Sequence, residues 1–174
     1  MKGMPIRKTA ELSMWTALAS ILFTLESLIP FPIPWMRVGL ANGVTLLVLS
    51  WYGWREALTV AMLRVILGSL LAGRMFHPLF WFGLAGGLGS VAVMSLTLGI
   101  RHIGLVGVSM LGASAKNLIQ LGMAGILFLG YAGVITLLPF FLLSALISGF
   151  LMGLLVLWVH DRWKGPNDLS LTSF

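Results

Sequence analysis

The stretch Glu56–Gly73, EALTVAMLRVILGSLLAG, decides the fold. It reads as a helix too apolar for the exterior of a water-soluble protein, yet Arg64 stands midway along it. A guanidinium placed in hydrocarbon costs about 3 kcal/mol on insertion scales and more in simulations, so it is kept only where it faces a partner or a wet cavity. Two further ionisable groups are stranded in the same way, Glu26 in LFTLESLIP and Lys116 in GASAKNLIQL. The functional question is why three helices of one bundle each carry a charge.

Composition supports a membrane setting. Of 174 residues, 59% are hydrophobic and 9% charged, and the mean hydropathy is +1.01; a soluble globular protein carries roughly 25% charged residues. The connections are short, so a single integral membrane domain covering residues 1–174 is expected. Cysteine is absent, which removes disulfides, thiolate metal sites and redox dithiols. The net charge of +6 belongs to basic residues at the inner ends of spans, so no nucleic-acid partner is expected. MKGMPIRK resembles the charged start of a signal peptide, but the apolar run after it is long enough to span, and no A-x-A-like cleavage site follows.

A helix crosses the hydrocarbon with roughly 20 residues, fewer where the membrane thins. Breaks at proline, glycine and charge predict an all-α bundle of six transmembrane helices: Leu12–Ile29, Gly39–Tyr52, Ala57–Leu71, Leu79–Ile100, Ile103–Gly130 and Ile135–His160. The fifth is long and is expected to bend or break at Lys116–Asn117. Orientation follows from the bias of Lys and Arg toward the cytoplasm. With the N-terminus inside, Lys2, Arg7, Lys8, Arg55, Arg101, Arg162 and Lys164 lie on the inner side, against Arg37 and Arg74 on the outer. Both termini are therefore expected in the cytoplasm. Trp51, Trp54, Trp158 and Trp163 then fall at the inner interface, and Trp35 and Trp81 at the outer.

Small residues form stripes: Ala57, Ala61, Gly68 and Ala72 with Arg64 on helix three, Gly83 and Gly87 on helix four, and Ala145, Gly149 and Gly153 on helix six. Such faces let helix backbones approach closely. They serve packing within the bundle or docking of a separate membrane partner.

At 1.5 Å per residue, Glu26, Asn42, Arg64, Lys116, Asn117 and Gln120 all fall in the middle or outer half of the bilayer. Lys116 and Gln120 are i, i+4 and Asn117 and Gln120 i, i+3, which places the three on one side of helix five. The convergence predicts one outward-opening pocket for an anionic or strongly polar ligand. The structural alternatives are an ion bridge between Glu26 and Arg64, and interhelical hydrogen bonding by Asn42, Asn117 and Gln120. Lys116 fits those alternatives less well, because a second cation leaves the three ionised groups at net +1. PFPIPWMR, with prolines at 30, 32 and 34, is a stiff extended connector placed where a lid would lie.

At these residues the chain resembles a known family. LESLIPFPIPWMRVGLANGVTLL, EALTVAMLRVILGSLLAG, LAGGLGSVAVM and GVSMLGASAKNLIQL, running in order from about Leu12 to Phe150, are similar to the Gx transporter family. Its members are often labelled heptaprenyl diphosphate synthase component I and are related to the substrate-binding (S) components of energy-coupling-factor transporters. The resemblance implies the six-helix S-component fold, a multi-pass protein of a bacterial cytoplasmic membrane, and an outward pocket. By the same analogy Ser13 and Ala17, with Ala57 and Ala61, would dock a transmembrane coupling subunit that works with cytoplasmic ATPases. One departure matters: the family usually has His before Asn in helix five, where this chain has Lys116.

Prenyl chain elongation needs clustered aspartates to hold Mg²⁺ on a diphosphate, and here Asp161 and Asp168 stand seven apart in the tail. No phosphate-cradling G-x-x-x-x-G-K-[ST] occurs either. No catalytic residue, metal or cofactor is expected of this chain. Three readings follow: a solute-binding subunit taking up a vitamin-like or isoprenoid-related solute, a membrane accessory of quinone- or flavin-linked extracytoplasmic electron transfer, and a non-catalytic subunit of a prenyl synthase. His77, His102 and His160 lie near span ends and offer no haem pair within the membrane.

Overall fold

The computed structural model describes residues 6–28, 39–73, 75, 77–100 and 102–163. Among them lie six α-helices, one π-helical turn and no strand: α1 (Ile6–Leu28), α2 (Leu40–Tyr52), α3 (Trp54–Leu71), α4 (Pro78–Leu98), α5 (Leu105–Ala124), the π turn (Gly125–Leu129) and α6 (Gly130–Arg162). The expected positions of Arg37, Arg74, Arg101, Lys2, Lys164 and Trp35, and the proline-rich cover, fall outside the described residues.

α2 is the centre of the bundle. Every residue from Ala41 to Trp51 is buried, as expected of a helix apolar on all sides, and α1, α3, α4, α5 and α6 all touch it. Gly53 alone separates α2 from α3. Its φ of 100° lies in the left-handed region that L side chains avoid, so the one-residue connection depends on glycine. α4 starts conventionally, with Pro78 in its first turn and the His77 ring accepting a hydrogen bond from Leu79 N at 3.3 Å.

Two expectations are corrected. α5 runs unbroken through Lys116 and Asn117, because their side chains find space and partners between helices and the backbone has no need to open. No loop joins α5 to α6: the π turn carries the chain directly to Gly130, whose φ of 65° makes the reversal.

The bundle is apolar outside, and its mainly apolar interior holds a seam of buried polar groups. Pro78–Leu98 and Ala132–Arg162 are long and apolar enough to cross a membrane, at mean hydropathies of 1.7 and 2.5. α6 exposes Phe140, Leu143, Ile147, Leu151, Leu154 and Trp158, while Glu26, Asn42, Arg64, Ser90, Asn117 and Gln120 are buried. The hydroxyls of α1 cost little inside, since Thr16, Ser20 and Thr24 each donate to a carbonyl one turn back, at 2.7–2.8 Å. Thr24 also reaches Gly68 O on α3 at 3.3 Å. Beside it Phe23 fills a gap that two glycines leave open: a Cβ on Gly68 would come within 2.5 Å of Phe23 Cδ1, and one on Gly83 within 3.3 Å of its Cζ.

At the end of the bundle near the N-terminus, charged side chains clasp α1 to its neighbours. Lys8 pairs with Glu56 of α3 at 2.5 Å, Arg7 with Glu11 at 3.1 Å, and Tyr52 of α2 donates to Glu11 at 2.6 Å. The Tyr52 hydrogen bond, followed by Arg7, holds the Glu11 carboxyl below its ordinary value of 4.5 despite some desolvation. Burial pushes Glu56 up, but the Lys8 hydrogen bond, its own backbone N–H and the charges of Lys8 and Arg55 outweigh it, so its carboxyl also sits below 4.5. Both folded values are depressed, so the stability they contribute is present above 4.5 and is lost as pH falls through the folded values. The apparent melting temperature in detergent should therefore fall with acidification through the carboxylate range. Glu11→Gln with Glu56→Gln should flatten that profile; an unchanged profile would show that the clasp contributes nothing.

Candidate functional site

Arg64, 3% exposed, points from α3 into the bundle. Its Nη2 donates to Asn42 Oδ1 at 3.2 Å, and Asn42 is held by Ser90 of α4, with Nδ2 3.0 Å from Ser90 Oγ. Arg64 Nε and Nη1 are buried with no hydrogen-bond partner among the described residues. Around the guanidinium a cavity of about 10 Å³ is lined by Phe23, Glu26, Asn42, Lys116, Gln120 and Gly83, with Ala41 at its edge. Four of the predicted ligand groups thus meet Arg64 in one place, supplied by α1, α2 and α5.

The anticipated Glu26–Arg64 ion bridge does not form. The ion pairs within 4.0 Å among the described residues are Arg7–Glu11 and Lys8–Glu56. Glu26 instead accepts from Leu40 N at the start of α2, where unsatisfied N–H groups and the positive end of the helix dipole favour a carboxylate. Glu26 thus positions the start of α2 while its carboxyl also lines the cavity, beyond ion-pair distance of Arg64.

Asn117 turns away from this group. Its Nδ2 donates to Phe141 O at 3.0 Å and Ser144 Oγ at 3.2 Å on α6. It lines a second cavity of about 10 Å³ with Asn42, Ser109, Lys116 and Ser148. Half-buried Lys116 borders both cavities, so the polar seam runs from α1 to α6 with Asn42 and Lys116 between its two lobes. Each lobe has room for roughly one water. Gln120 faces α4, its Nε2 donating to Phe82 O at 3.1 Å while Oε1 has no partner.

Two glycines of α4 make room for these polar side chains. A Cβ on Gly86 would stand 3.0 Å from Gln120 Cγ, and one on Gly87 3.5 Å from Arg64 Nη2. Sequence reasoning missed Ser90, whose only signal was a hydroxyl following the glycines of LAGGLGS. It also missed His160, which is buried near the end of α6 and accepts from Trp51 Nε1 at 3.0 Å.

The docking residues separate into two kinds. Ser13 and Ala17 are exposed and line a groove of about 340 Å³ between α1 and α3, with Thr9, Thr16, Glu56 and Leu63. Ala57 and Ala61 are 0% and 1% exposed and belong to the core. Their stripe packs the bundle internally and offers no surface to a partner.

These features define an all-helical protein with an apolar exterior and ionisable groups gathered around a central helix. Residues 15–158 match the heptaprenyl diphosphate synthase component I family, and the chain belongs to it. No curated protein and no solved structure matches the chain.

Proposed function

We propose that the chain is a multi-pass membrane subunit, with six spans and both termini in the cytoplasm, that binds a small anionic or polar solute at the Arg64 cavity. In this reading it is the solute-binding component of an energy-coupling-factor type importer, and separate chains supply the membrane coupling subunit and the ATPases. One observation carries the reading: a fully buried guanidinium has two nitrogens without acceptors and no carboxylate at ion-pair distance. A charge in such a place needs an anion, water or a proton loss. The cavity is too small for a solute as it stands, so loading requires the helices around it to part. Ser13 and Ala17 remain the surface offered to the coupling subunit.

The family's description favours a second reading, a non-catalytic subunit of heptaprenyl diphosphate synthase. The chain has no aspartate-rich motif for Mg²⁺, so in either reading catalysis belongs to another chain. Mass spectrometry of small molecules that co-purify with the protein separates the two. A polar vitamin-like acid supports import, and a prenyl diphosphate supports the synthase subunit. A flavin or quinone would point instead to electron transfer. Topology is tested by single cysteines and an impermeant thiol reagent in intact cells. Labelling is expected at positions 37 and 74 and not at 55 and 101; the reverse pattern overturns the orientation and with it the outward site.

A further inference from the structure

Among the described residues Arg64 Nε and Nη1 meet no acceptor and Gln120 Oε1 meets no donor, although both residues are buried. The Gln120 amide cannot turn over to correct this, because Nε2 already donates to Phe82 O and a flip would set Oε1 against that carbonyl oxygen. Arg64 and Gln120 line one cavity together with Glu26, Asn42 and Lys116, so its unmatched groups are two guanidinium donors and one neutral amide acceptor. With Glu26, Arg64 and Lys116 ionised, the three sum to +1.

A matching occupant accepts from the guanidinium, donates to the amide oxygen and carries negative charge. One water supplies the acceptor and the donor but no charge. A fully deprotonated acid group supplies charge and acceptors but brings lone pairs against Oε1, leaving a buried acceptor unmatched.

We propose that the solute group bound at Arg64 and Gln120 is an oxyanion that keeps a hydrogen-bond donor beside its negative oxygen, as a monoprotonated phosphate does. The inference rests on the solute-binding reading above and narrows it to a ligand class.

Inorganic phosphate and sulfate are the probes, being alike in shape and size while only phosphate keeps an O–H near neutral pH. The purified full-length protein in nanodiscs should retain radiolabelled phosphate. Sulfate should compete at least about tenfold more weakly than unlabelled phosphate, since an unmatched buried acceptor is worth roughly that factor or more. Arsenate and selenate, a second pair differing in the same way, should repeat the difference without any substitution. In Gln120→Met, checked for native helix content by circular dichroism, phosphate and sulfate should compete equally. Equal competition in the unmodified protein overturns the proposal, as does discrimination that survives Gln120→Met. If phosphate does not bind while a co-purified solute still depends on Arg64, the ligand class falls and solute binding stands. If that solute is retained in Arg64→Gln, both fall.

Discussion

Replacing Glu26 and Arg64 together by glutamine should leave a folded, monodisperse protein that no longer holds its solute. The two side chains are not an ion pair, so the double variant abandons no mutual partner. Glu26→Gln keeps an oxygen to accept from Leu40 N. Arg64→Gln removes a buried cation, and Asn42 remains bonded to Ser90. Removing both charges at once leaves neither of them buried alone, so the melting temperature should hold. Solute affinity should drop at least about 100-fold. Each hydrogen bond to a charged group is worth roughly 1.5–3 kcal/mol, and about 1.4 kcal/mol is a factor of ten. Occupancy by mass spectrometry and melting in detergent read the two effects separately. A double variant that unfolds would make the group structural, and one that keeps its solute would remove Arg64 from the site.

Gly149→Ala and Gly153→Ala should produce the largest losses of stability among single-methyl changes. A Cβ at Gly149 would lie 2.7 Å from Met110 Cα, and one at Gly153 2.7 Å from Val106 Cα. Both obstacles are backbone, so no rotamer relieves the clash and α6 must move away from α5. Overpacking of this kind costs about 1–3 kcal/mol. The double variant should cost less than the sum, because the first separation makes room for the second methyl. Gly122→Ala, which meets nothing within 4 Å, is the control. It should be neutral or stabilising by up to about 1 kcal/mol, the gain in helix propensity. Equal melting of all three variants would show that the α5–α6 contact is looser than these distances imply.

Helices two to four and the end of helix one were legible to within a few residues, because glycine, proline and charge punctuate them. By contrast, α1 starts at Ile6 rather than Leu12, because its charged first turns are helical too. At the α5–α6 junction the reading ended helix five at Gly130, where the positive φ makes the reversal, but left 131–134 as a connector, whereas α6 starts directly at Gly130. The gathering of Glu26, Asn42, Arg64, Lys116 and Gln120 was legible from depth alone, since few places in an apolar bundle can hold such groups. Their pairing was not. Glu26 is occupied by a backbone N–H at a helix start, a partner that no residue type announces. Asn117 and Gln120, three apart, diverge to α6 and α4 because each lies near a different edge of the stripe. The alanines of α3 showed the ambiguity of small residues most plainly, since Ala57 and Ala61 fit both internal packing, the commoner use of such stripes, and docking until their burial is known.

The shortness of α2 has an electrical consequence. Its 13 residues span about 20 Å, roughly 10 Å less than the hydrocarbon core of a membrane. In the proposed orientation the shortfall lies above Leu40, so the polar centre begins about a third of the way through the transmembrane field. Carrying one charge across the whole field is worth about 2.3 kcal/mol per 100 mV. An anion that travels only that third from outside therefore works against roughly 0.8 kcal/mol at 100 mV, inside negative, less than a factor of about four in occupancy. Under the proposed function, a short central helix would let the Arg64 site take an anion while leaving most of the membrane voltage to the later step of release.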